Sequence, residues 1–116
     1  MNDKELIEMA AKACGLPRQW WDYEYVRSMG HMVTQSMMWN PLSDNAAAMK
    51  LAVKLHINIG FLWDGENDQY DPVVAHRGSA YAAEQIGITM NDEFDEEAAT
   101  RRAIVCAAAQ IGKDMP

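Results

Sequence analysis

Three histidines, His31, His56 and His76, are the first side chains to weigh for chemistry. Imidazoles that share a metal recur at spacings such as HxxxH or HExxH, which bring both rings to one face of an element. No HxH, HxxxH or HExxH spacing occurs in this chain. Each histidine is therefore read as structural or superficial, and His56 ends a helical pattern where an imidazole can face the carbonyl end of a helix. A small metal-dependent hydrolase would require these rings to converge in space with Asp64 or Asp71. Carboxylates come in near pairs, Glu66 with Asp71 and Glu93 with Asp95. Paired carboxylates divide acid and base roles only where their surroundings separate the two pKa values. Here they lie in polar, loop-like sequence, and nothing suggests the burial that such a separation needs.

Nucleophiles and phosphate loops give no stronger signal. Ser28, Ser36, Ser43 and Ser79 lack a nucleophile-elbow context, and GxGxxG and GxxxxGK[ST] are absent. Cys14 and Cys106 each sit in an Ala-rich helical pattern, without the CxxC or CxxH spacing of a zinc site. They read as reduced, buried thiols that pack as small hydrophobes, the alternative being a disulfide between the two terminal helices. No catalytic residue, metal or cofactor is expected.

Interaction chemistry is better represented. Trp20, Trp21, Tyr23, Tyr25, Trp39 and Trp63 are six large aromatics within residues 20–63. Trp and Tyr are enriched where partner proteins bind. Trp39 and Trp63 are expected to fill the core. Trp20 and Trp21 are adjacent, and on a strand their side chains point to opposite faces. One of them, with Tyr23 beside it, is expected at a surface covered by a partner or a second copy. A second candidate surface is the acidic loop 64–71, with Asp64, Glu66, Asp68 and Asp71. Residues 64–97 carry ten acidic side chains against Arg77 alone, within a chain of net charge −7. Phosphate binding wants a basic face, so nucleic acid is not an expected partner. An acidic face that docks a basic protein is compatible with the charge.

The elements that must position these residues are legible to different degrees. A length of 116 residues with 49% apolar and 23% charged residues fits one domain with its own core. The spacing predicts a helix over 3–14, capped by Asn2 or Asp3 and stopped by Gly15 and Pro17. Residues 18–39 are rich in aromatics and Val, with Gly30-His31 between two runs, and predict a hairpin or two short strands. The methionines there, Met29, Met32, Met37 and Met38, suit either a plastic core or an adhesive surface. In MMWNPLSDNAAAMKLAVKL, Asn40-Pro41 forces extended backbone, Ser43 is expected as N-cap and Asp44 as the first helical residue. A helix over 44–56 then places Ala46, Met49, Val53 and His56 on one stripe, flanked by Leu51, Ala52 and Leu55. INIGFLWD (57–64) and DPVVAHR (71–77) read as paired strands. Residues 78–92 read as irregular, with a strand-like piece near Tyr81. A helix over 95–111 is capped by Asp95 and ended by Gly112. The result is an α+β fold: a small, mainly antiparallel sheet layered with helices, α/β/α sandwich-like, with three main helices.

Three blocks of this chain resemble a known family. MNDKELIEMAAKACG, WNPLSDNAAAMKLAVKL and AATRRAIVCAAAQIG look like small phage and prophage proteins known by a phage ABA-sandwich domain. Such proteins read Trp-x-Pro-Leu, then Thr or Ser, then acids, which this chain keeps as Trp39-Asn40-Pro41-Leu42-Ser43-Asp44. The likeness covers the helical blocks, while 18–38 and 64–92 are variable. It implies helix–sheet–helix layering and brings no known reaction and no catalytic residues. The N-terminal stretch lacks the basic start and continuous apolar core of a signal peptide, and no apolar run is long enough to span a membrane. The combined expectation is a cytoplasmic, non-enzymatic phage accessory protein acting through protein contact. Its partner would be itself, as a homodimer, or a host or phage protein. The alternatives are an acidic inhibitor of a host DNA-binding or defence protein, and the small hydrolase above.

Overall fold

The fold is described from a computed structural model covering residues 1–64, 69–84, 87–88 and 94–116, with side chains at 1–61, 75–84 and 95–116. Helix α1 spans Asp3–Cys14. The Asn2 Oδ1 atom accepts the Glu5 N–H at 2.8 Å, and Gly15 closes the helix at φ 76°, a conformation open to glycine without a Cβ penalty. Leu6, Ala10, Ala11 and Cys14 are buried on its inner face.

Residues 18–39 correct the expected strands. They form a single 3-10 turn at Arg18–Trp20, the short helix α2 at Tyr23–Ser28, and a second 3-10 turn at Gln35–Met37. A polar knot overrides the strand preference of the aromatics. The buried Asp22 carboxylate accepts the Tyr25 N–H at 3.2 Å as the N-cap of α2. It also pairs with Arg18 Nε at 2.8 Å, and that guanidinium lies 4.3 Å from the centre of the Tyr25 ring. Burial pushes the Asp22 carboxyl pKa up. The Arg18 hydrogen bond, the Tyr25 N–H and the charges of Arg18 and Lys4 together outweigh it and hold the group below the usual carboxylate range.

Helix α3 spans Asn45–Leu55 and differs at its entrance by one residue from expectation. Asp44, rather than Ser43, is the N-cap, accepting the Ala46 N–H at 3.0 Å. Asn40 shapes the turn before it: its Oδ1 accepts the Leu42 N–H at 3.0 Å, and its carbonyl accepts the Ser43 and Asp44 N–H groups. Pro41 is fully buried and Trp39 packs against the core, as its sequence position suggests. The Trp-Asn-Pro-Leu-Ser-Asp stretch is thus accounted for as a helix entrance.

The sheet follows. Strand β1 (Asn58–Asp64) pairs antiparallel with β2 (Gln69–Arg77), and β2 pairs antiparallel with β3 (Ala80–Glu84). Trp63 lies on β1, and its side chain is outside those described. Between Phe61↔Val73 and Trp63↔Tyr70 the register gains one residue on β2. This irregularity accommodates Pro72, which has no N–H to give a central strand. Gly78, at φ 58°, makes the tight reversal into β3, so the region near Tyr81 is a regular strand. Gly87–Ile88 (β4) and Phe94–Asp95 (β5) form a separate two-residue ladder.

Helix α4 spans Glu96–Lys113, capped by Asp95, whose Oδ1 accepts the Ala98 N–H at 2.9 Å. Gly112 does not end it. A Cβ there would lie 1.9 Å from the Met9 carbonyl oxygen, so glycine permits α1 to approach α4 closely. Ala99, Ala103, Ala107, Ala108 and Ala109 are buried along the same helix. Small side chains let α4 serve as the central rod: α1 and α3 pack on it, and it packs on β2 and β3 through Ala75 and Ala82. The class is α+β, with three main helices layered on an antiparallel sheet. No helix among the described residues is long and apolar enough to cross a membrane.

Candidate functional site: an apolar groove between α3, β1 and α4

Helix α3 carries two apolar stripes, and the structure buries the longer, more continuous one. Ala47, Ala48, Leu51, Ala52 and Leu55 face inward. Met49 and Val53, one turn apart on the expected stripe, are each 67% exposed. Five apolar residues at i, i+3/i+4 spacing bury together against α4 and the core, and this turns the shorter stripe outward.

Met49 and Val53 form one wall of a groove of about 670 Å3. Ile59 and Phe61 of β1 lie across from them and are both substantially exposed. Thr100, Arg101 and Ile104 of α4 line it further. In the register of the sheet, Ile59 aligns with Ala75 and Ala82, the two residues that α4 covers. Ile59 therefore belongs to the inner face of the sheet but extends past the helix that covers its neighbours. The groove is the place where the helical layer stops short of the edge strand.

Its polar end is built from α3 and α4 together. Arg101 Nε donates to the Leu42 carbonyl at 2.8 Å and its Nη1 donates to Asn45 Oδ1 at 2.6 Å. Asn45 Nδ2 donates in turn to Glu97 Oε2 at 3.0 Å. Glu96 and Glu97 stand exposed at this end. At the other end His56 closes α3 in the left-handed region, at φ 54° and ψ 44°. A non-glycine residue there carries backbone strain. Lys54 sits in the same last turn.

The sequence-predicted surfaces fare differently. Trp20 is 57% exposed, on a 3-10 turn instead of a strand, and its carbonyl accepts the Trp39 N–H at 2.7 Å. Trp21 and Tyr23 are half-buried and come together in a crevice of about 340 Å3 with Lys4 and Ile7 of α1. They face Lys4 and Ile7 across this crevice, while Trp20 stands on the 3-10 turn before them. Met29, Met32 and Met37 are exposed around them. Asp64 and Asp71 belong to β1 and β2, not to a loop, and Glu66 and Asp68 lie outside the described residues. Two other acids of the negative segment are committed internally: Asp95 caps α4, and Glu84 approaches Arg102 at 3.8 Å.

The histidines occupy separate elements: His31 follows α2, His56 caps α3, and His76 is exposed on β2. Among the described residues no three His, Cys, Asp or Glu side chains come together as a metal site. Cys14 and Cys106 are free thiols. Burial, then the neighbouring Glu84 carboxylate, pushes the Cys106 thiol up to about 11, which disfavours the nucleophilic thiolate. Burial likewise raises Cys14. No family model, curated protein or solved structure matches this chain.

Sequence reasoning thus misses Met49, Val53, Ile59 and Phe61 as a site. The α3 stripe is visible in the sequence; the signal that separates it from the core is continuity, since Ala47, Ala48, Leu51, Ala52 and Leu55 make the longer apolar run.

Proposed function

We propose that this chain is a non-enzymatic interaction protein that works through the α3–β1–α4 groove. One observation carries the reading: Met49 and Val53 face Ile59 and Phe61 across an open apolar groove at the edge of the sheet. Contiguous exposed apolar surface with a polar rim is the usual mark of a protein contact site. The likeness to phage ABA-sandwich proteins supports a phage or prophage accessory role inside the bacterial cytoplasm. The blocks that carry it coincide with α1, the entrance and body of α3, and α4.

Methyl NMR tests the reading. Signals of Met49, Val53, Ile59 and Ile104 are followed while the chain is concentrated and while clarified bacterial lysate is added. The reading expects these methyls to shift or broaden in at least one series, with Met29 and Met32 unaffected, and Val53→Glu to abolish the response. Groove methyls that never respond, or a response confined to Met29 and Met32, would overturn it.

A further inference from the structure

We infer that the segment after α2 binds a soft monovalent cation of the copper(I) class, with Met29, His31, Met32 and Met37 as its ligands. This site is separate from the groove and does not depend on the interaction reading.

The fold leaves these side chains unused. Four of the chain's nine methionines lie in residues 29–38. Three of them project into water: Met29 is 62% exposed, Met32 98% and Met37 69%. Core packing accounts for none of the three. His31 stands exposed between the first two. Residues 28–43 contain no Asp, Glu, Lys or Arg. The segment thus presents neutral sulfur and imidazole donors with no carboxylate among them. Thioethers select copper(I), whereas magnesium, calcium and manganese want oxygen ligands. Zinc prefers thiolates and several imidazoles, and the segment has one imidazole and no cysteine.

The backbone gathers these donors. Gly30, at φ 85°, turns the chain directly after α2, with Met29 and His31 on either side of the turn. The Trp39 N–H donates to the Trp20 carbonyl at 2.7 Å, which ties the two ends of the segment together. Within it the Met37 thioether reaches back along the chain, where its Sδ accepts the Thr34 N–H at 3.5 Å. That amide lies at most about 7 Å from the Met32 Cα, the span of two extended residues. Methionine has three rotatable side-chain bonds, so the Met32 and Met37 sulfurs are within reach of one ion. A thioether has two lone pairs, and Met37 can keep the Thr34 hydrogen bond while it binds.

The stronger soft ligands of the chain are withheld. Cys14 is buried and Cys106 half-buried. Burial raises both thiols, Cys106 to about 11, so little thiolate is on offer. The exposed thioethers are the accessible soft donors.

Titration with silver(I), a redox-inert stand-in for copper(I), tests the site in buffer free of chloride and thiols. Native mass spectrometry should count one ion per chain. In methyl NMR, Met29, Met32 and Met37 should shift together to a one-to-one end point, with Met49 and Met115 unmoved. Copper(I) kept reduced by ascorbate without oxygen should produce the same shifts, and zinc(II) should produce none. Met29→Leu/Met32→Leu and His31→Ala should each weaken binding by about tenfold or more, since ligands are lost. These positions are exposed, and circular dichroism checks that each variant folds. Cys14→Ala/Cys106→Ala should bind as the wild type does. Undiminished affinity in Met29→Leu/Met32→Leu would overturn the site. So would loss of the ion in the cysteine-free variant, or shifts spread over all methionines without an end point.

Discussion

Gly112 and His56 show how single positions set this fold. At Gly112 the absent side chain is the requirement, because a methyl group would overlap the Met9 carbonyl. Gly112→Ala is expected to destabilise the chain by about 1–3 kcal/mol, despite the better helix propensity of Ala, since overpacking against backbone has no rotamer escape. Chemical denaturation measures it directly. At His56 the side chain is tolerated at a cost. Its left-handed backbone suits glycine better, so His56→Gly is expected to stabilise the monomeric fold by about 1 kcal/mol, read as a higher denaturation midpoint. A strained residue kept at the groove mouth fits a role in contact better than a role in stability.

Elements in this chain are decided by which local signal is stronger. The caps of α1 and α4 are legible because Asn2 and Asp95 sit directly ahead of helical periodicity; at α3 two adjacent capping residues, Ser43 and Asp44, leave the choice to the Asn40 turn. Residues 18–39 mislead because Trp, Tyr and Val favour strands in general, while Asp22 decides locally. The readable clue is Asp22 as a cap, Glu24 in the first turn, Arg27 in the last, and Arg18 four residues before Asp22. The lowered Asp22 pKa gives this knot a pH signature. A depressed carboxylate contributes stability above its ordinary pKa of about 3.9, and that contribution is lost as pH falls through the lower folded value. Asp22→Asn keeps a capping oxygen but loses the charge. Wild type should therefore exceed it in urea midpoint near neutral pH, and the gap should close in strong acid. The β3 edge gives a second element-scale expectation. Gln110→Ala should cost about 1 kcal/mol and accelerate amide exchange at Tyr81, because its N–H loses its acceptor.

At the scale of the whole molecule, the three long helices, the antiparallel β1–β2 pair and the α+β class are all readable from sequence periodicity. Where the helical layer stops is not readable. Both stripes of α3 carry apolar residues, and packing against α4 buries the Ala47–Leu55 face, leaving Met49 and Val53 outward. The aromatics draw attention to a different surface, where Trp20 is exposed and Trp21 and Tyr23 are half-buried beside a crevice. Charge is legible as a total, but not its use: Asp95 and Glu84 serve α4, while Glu96 and Glu97 mark one end of the groove.

Hydrogen exchange on dilute protein, on concentrated protein and on protein with clarified bacterial lysate tests the central claim most directly. If the groove is the contact surface, peptides covering α3 and residues 58–61 gain protection on concentration or with lysate, and peptides covering 18–39 exchange at the same rate throughout. Protection gained over 18–39 with α3 and β1 unchanged would contradict the account and return the aromatic segment as the interface.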